Sequence, residues 1–164
     1  MRRRSAVAVL LSLCLSLTLA SAALASPPRN FVAPLSPQEG VETNATGVAQ
    51  FRVGADALDF RLNVANITDV LMAHIHLEGA DGPVVAWLYP DAPPPEEIPG
   101  RFGGTLATGT ITADDLVGPL RENGLDALID EILDCNAYVN VHTTEHPDGE
   151  IAGAIDRPRG HIAR

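Results

Sequence analysis

Apolar and polar residues alternate with a period of two through almost the whole chain, and that period is the pleat of a β-strand. The densest instance is residues 137–155, AYVNVHTTEHPDGEIAGAI. Residues 138–143 alternate in character, and residues 150–155 carry apolar side chains on alternate positions. Between them stands EHPDG, where Pro147 presets φ and Gly149 admits positive φ. Two period-two runs joined by turn residues read as a β-hairpin. Its polar content is unusual: Asn140, His142, Thr143, His146 and Glu150 all fall on it.

The rest of the chain has the same grammar. Residues 30–35 read as a short edge strand that turns away at 36–40, and residues 47–54 as an imperfectly alternating strand. In residues 57–65, Leu58, Phe60, Leu62 and Val64 face one way, against Asp59, Arg61 and Asn63. Residues 71–77 and 83–89 form a further pair around Gly79 and Gly82. Residues 91–100, with three consecutive prolines, cannot sit within a sheet. The glycine-bearing run 102–111 reads as a bent or edge strand. Two places carry helical signals instead. Thr112 with Asp115 forms a capping box over residues 113–116, and Leu125, Leu128, Ile129, Ile132 and Leu133 have helical spacing. The expected fold is all-β: an antiparallel β-sandwich or Greek-key barrel with a short helical insertion.

The first 25 residues stand apart. Arg2, Arg3 and Arg4 precede an apolar run over 6–19, and Ala23-Leu-Ala25 offers small residues at a cleavage site. This is the pattern of a secretory signal peptide cut before Ser26. Residues 26–30 then form a leader, 31–156 a single domain, and 157–164 a tail. The apolar run is shorter than the ~20 residues a membrane span needs, so no span is expected after cleavage. The mature protein is expected outside the cell or in its envelope. Its formal charge is −10 before cleavage, which removes three arginines and no acid. An acidic chain without lysine is a poor partner for nucleic acid or anionic membranes. Cys14 leaves with the leader, and Cys135, at the end of the predicted helix, is expected to be buried.

Four of the five histidines lie in two of these segments. His74 and His76 are two residues apart on a strand and project from one face; His142 stands on the focal hairpin. Imidazoles converging from two strands suit zinc or copper, with Glu150 as a further oxygen donor. The alternative is a buried hydrogen-bond network joining the histidines and Asn140 to Glu150 or Thr143. Cu/Zn superoxide dismutase also takes ligands from a His-x-His strand, and this chain is similar to it locally. No bridging histidine or zinc loop matches, since residues 79–82 are short and hold no histidine. A copper-dependent redox enzyme is therefore the contrasting reading, and a non-enzymatic role the preferred one. His146 is expected to be exposed in its turn, and Trp87 and Tyr89 to serve as core and rim. Asp148 with Glu150 is turn grammar, and Asp114, Asp115, Asp130 and Glu131 read as solvated helix faces. Asn44 and Asn66 head glycosylation sequons. No serine elbow, phosphate loop or Cys-His pair is present.

Taken together, these segments resemble the CHRD domain, the module repeated in chordin and found singly in many exported prokaryotic proteins. The resemblance rests on LSPQE at 35–39, TGVAQF at 46–51, AHIH at 73–76 followed by GPVV at 82–85, and GTIT at 109–112 with Leu116. It continues through AYVNVHT at 137–143 and PDGEIAG at 147–153. Ala152 stands where the family often has arginine, and the 91–100 loop is richer in proline. The resemblance implies an extracellular β module without an assigned biochemical role; binding of an extracellular protein or surface ligand is the expected function. The cysteine-rich repeats that accompany the domain in chordin are absent, so growth-factor antagonism is not implied.

Overall fold

The computed structural model describes residues 30–79 and 82–158. The leader, Cys14, the C-terminal tail from 159 and His161 lie outside the described residues. Among those described, seven strands form one antiparallel sheet: β1 Asn30–Pro37, β2 Thr46–Val53, β3 Leu58–Leu77, β4 Val84–Tyr89, β5 Ile98–Ile111, β6 Ala137–Thr143 and β7 Ile151–Ala154. Neighbours run β2-β1-β7-β6-β3, and a further pairing of β2 with β3 closes these five into a barrel. β4 and β5 extend the sheet from β3. The expectation of an all-β antiparallel fold holds, in its barrel form. No helix of the described residues is long and apolar enough to cross a membrane.

Inside the barrel each strand contributes alternate residues. Phe31, Ala33 and Leu35 from β1 meet Ala49 and Phe51 from β2, Leu58 and Leu62 from β3, and Val139 and Val141 from β6. Helix α1, Leu125–Leu133, has the bounds its apolar spacing predicts and adds Leu128 and Ile132 to the core. The capping-box segment is a single 3-10 turn, Ala113–Asp115. Asp115 accepts from the Thr112 amide at 2.8 Å, a bond that holds the turn without extending it into a helix.

Three expectations change. β1 is an interior strand, paired with β2 on one side and with β7 through Ser36 and Pro37 on the other. Barrel closure removes the edge that alternation alone suggested. At that seam Gly153 lies against the carbonyl of Pro34, where any Cβ would collide. Next, the runs expected as two strands at 57–65 and 71–77 are one strand of 20 residues. Asn66 and Asp69 adopt positive φ, 58° and 52°, within bulges. These residue types tolerate the left-handed region better than most. Arg101 donates to Asn66 Oδ1 at 2.6 Å, and the Gly100 amide donates to Asp69, so β5 fastens the bend. Through it β3 changes partners, from β2 to β6. Finally, Cys135 is exposed rather than buried. The helix stops two residues earlier and Cys135 takes a φ of 59°, which turns it away from the core.

Candidate metal centre

The C-terminal half of β3 lies between β4 and β6 in continuous register with β6: Met72 opposite His142, His74 opposite Asn140, His76 opposite Tyr138. Their odd-even partners, Ala73, Ile75, Val139 and Val141, are fully buried on the apolar side. The pleat therefore sends all three histidines to the other side. That side is covered as well. His74, His76 and His142 are 3%, 8% and 5% exposed.

Two turns supply the cover. Just before β4, the Gly82 carbonyl lies on His76 Nδ1. The hairpin between β6 and β7 curls so that the Pro147 carbonyl accepts from His142 Nδ1 at 2.9 Å. Backbone bonds fix that curl: the Gly149 amide donates to His146 O at 3.0 Å and the Glu150 amide to Val141 O at 2.8 Å. Asn140 braces it from below, donating to Asp148 O at 3.2 Å and accepting from Gln38 at 3.0 Å. Gly149, at φ 122°, presses so closely on Asn140 and Gln38 that no side chain fits.

These bonds assign the ring protons. A carbonyl can only accept, so His76 and His142 each carry their proton on Nδ1 and turn a lone pair on Nε2 inward. His142 Nε2 lies 3.2 Å from His74 Nδ1, and a bond there requires the proton on His74. The Nε2 atoms of His74 and His76 are buried and find no hydrogen-bond partner among the described residues. One ring nitrogen from each histidine lies within 4.8 Å of the others, the only such group of three metal-ligating side chains among the described residues. The rings of His74 and His142 have centroids 5.0 Å apart. Trp87 meets His74 in a T-shaped arrangement with ring centroids 4.2 Å apart, and Tyr138 stacks on His76 at 5.2 Å.

Burial also sets the charge. Desolvation, with the neighbouring His142 and His76 adding repulsion, pulls the His74 pKa from 6.5 to about 3. Burial lowers His76, against a smaller opposing effect of the Gly82 carbonyl. It lowers His142 too, partly offset by the Pro147 carbonyl and Asp148. The three rings are neutral at pH 7, the form that can bind a metal.

The structure thus brings together His74, His76 and His142 and leaves Glu150 out of that group. Glu150 is 6% exposed, and its two oxygens accept from Thr43 at 2.7 Å and Thr143 at 2.8 Å. The histidines are not bonded to it. The polar network foreseen in the sequence exists, but it ties Glu150 to Thr143 and Asn140 to Gln38. His146 is partly buried, and Asn44 and Asn66 are exposed. Sequence reasoning missed Thr43 and Gln38, whose partners lie more than 100 residues away and follow no local pattern. It also missed Trp87 as a wall of the histidine pocket, although its alternation with Tyr89 on β4 was visible.

A family model described as the CHRD domain matches residues 31–155. No curated protein and no solved structure matches the chain. The matched span runs from β1 to just past β7 and so takes in every strand of the barrel, the histidine-bearing strands included. The chain belongs to the CHRD domain family.

Proposed function

We propose that this CHRD protein is an exported, non-enzymatic module that binds an extracellular protein or surface ligand and holds one zinc or copper ion on His74, His76 and His142. The carrying observation is the pair of buried, unpartnered Nε2 atoms within a three-histidine group. A buried polar atom left without a partner costs roughly 1–3 kcal/mol. An ion bonded at about 2 Å would satisfy several such nitrogens at once. The surroundings support the same reading. His76 and His142 each donate their other ring nitrogen to a backbone carbonyl, the arrangement that orients metal-bound imidazoles.

The cover over the site supports a non-catalytic role. Rings 3–8% exposed beneath two braced turns leave little room for a substrate at the ion. Export is supported by the three arginines, the apolar run and the small residues before Ser26.

Elemental mass spectrometry on mature protein, purified without an affinity-metal step, tests the site. About one zinc or copper per chain is expected, and none in a His74→Ala, His76→Ala, His142→Ala variant. An ion-free wild type, even after loading and dialysis, would overturn the metal reading. N-terminal sequencing of protein recovered outside the cytoplasm tests export, with Ser26 as the expected first residue.

A further inference from the structure

The histidine face of β3 starts one pleat earlier than the histidines do. Met72 precedes His74 by two residues and stands directly opposite His142. The bulge between Val70 and Met72 puts its extra residue, Leu71, before this point, so the β3–β6 register is unbroken from Met72 to Leu77. The irregularities on the other side, against β4, place their extra residues on β4. Met72 therefore shares the face of His74, His76 and His142, and it is half-buried. Residues directly opposite have Cβ atoms about 4.5–5.5 Å apart. A thioether on three rotatable bonds readily covers the remaining reach.

We propose that Met72 supplies a fourth, sulfur ligand to the three-histidine site and that the site's preferred ion is monovalent copper. This rests on the metal reading above and deepens it. Three imidazoles and a thioether are all neutral, and the group contains no carboxylate or thiolate. An ion there keeps its full charge in a buried setting. The cost of burying charge rises with its square, so a monocation is much less penalised than a dication. Softness points the same way, since thioether sulfur favours Cu(I) over zinc. The strand sequence Met-x-His-x-His is thus a single ligand ladder, completed by His142 from β6.

The test compares wild type, Met72→Leu and His142→Ala. Cu(I) affinity is measured anaerobically against a chromogenic chelator, and zinc affinity against a fluorescent one. Leucine preserves volume and apolarity, so the fold and melting temperature should be kept. Loss of a supporting group alone costs a metal site about 10-fold, so loss of this ligand should weaken Cu(I) at least that much and leave zinc nearly unchanged. Copper X-ray absorption on the wild type should show one sulfur neighbour, absent in Met72→Leu. That spectrum decides the matter even if the variant folds poorly. Wild-type copper with no sulfur neighbour, or zinc bound more tightly than Cu(I), would overturn the Met72 proposal while leaving the histidine site standing. Neither ion binding to wild type would remove both.

Discussion

His74 Nδ1 lies 3.2 Å from His142 Nε2, although 68 residues separate them. The other nitrogen of His142 is held by the Pro147 carbonyl, so in the metal-free protein this contact is His74's one hydrogen bond among the described residues. His142→Ala would leave all polar atoms of the His74 ring unpaired in a buried site and open a cavity. The expected cost is about 2–4 kcal/mol. Urea unfolding of metal-free protein should show a lower midpoint at an unchanged slope. An unaltered midpoint would mean that the two rings are not coupled.

Acid should destabilise the metal-free protein earlier than carboxylate titration would. His74 titrates at about 3 in the fold against 6.5 in the unfolded chain. Between those values the unfolded chain binds a proton that the folded chain refuses, so stability falls as pH falls. For this ring the slope is up to about 1.4 kcal/mol per pH unit, and the contribution is fully present above the unfolded value. His76 and His142 are lowered in the same direction and steepen the loss. Chemical denaturation across this range should show the decline, and His74→Asn should flatten it. A wild-type profile level through the window would contradict neutral, buried rings.

Gly149 holds the turn that covers the site. Alanine there meets both a φ of 122° and the side chains of Asn140 and Gln38. We expect Gly149→Ala to cost about 2–3 kcal/mol, more than the ~1 kcal/mol of an ordinary glycine replacement in open space. Because the turn carries the Pro147 carbonyl, amide hydrogen exchange should also rise at Gly149 and Glu150. A melting temperature equal to wild type would show that the turn can relax at no cost.

Glu150→Gln separates the carboxylate from the metal question. Glu150 accepts from the hydroxyls of Thr43 and Thr143, tying the segment before β2 to the focal hairpin. Glutamine keeps one acceptor and offers the other hydroxyl a donor instead, so a loss of about 1–2 kcal/mol is expected. Metal stoichiometry should not change. A variant that loses its ion while its melting temperature holds would return Glu150 to the ligand set.

Much of this protein was legible in its residues. The focal hairpin β6–β7 and the bounds of α1 follow from period and turn chemistry, which act between residues only a few positions apart. That His74 and His76 share a face needed nothing more than the pleat. Their neutrality was not legible, because it comes from burial beneath the turns at Gly82 and Pro147. The gap between the expected strands at 57–65 and 71–77 became a bend within one strand because β5 supplies Arg101 and the Gly100 amide to hold Asn66 and Asp69.

The sequence by itself determined an all-β chain, the identity of its histidine-bearing strands and the shared face of His74 and His76. Only the tertiary structure decided that β1 lies inside a closed barrel, that β3 runs unbroken past Asp69, and that Cys135 faces solvent. It also decided that Glu150 turns to Thr43 while the three histidines turn to one another. The physical reason is range. Local propensity is set within a turn or a pleat, whereas the register of β3 on β6 is set by closing a barrel whose core must be buried all at once.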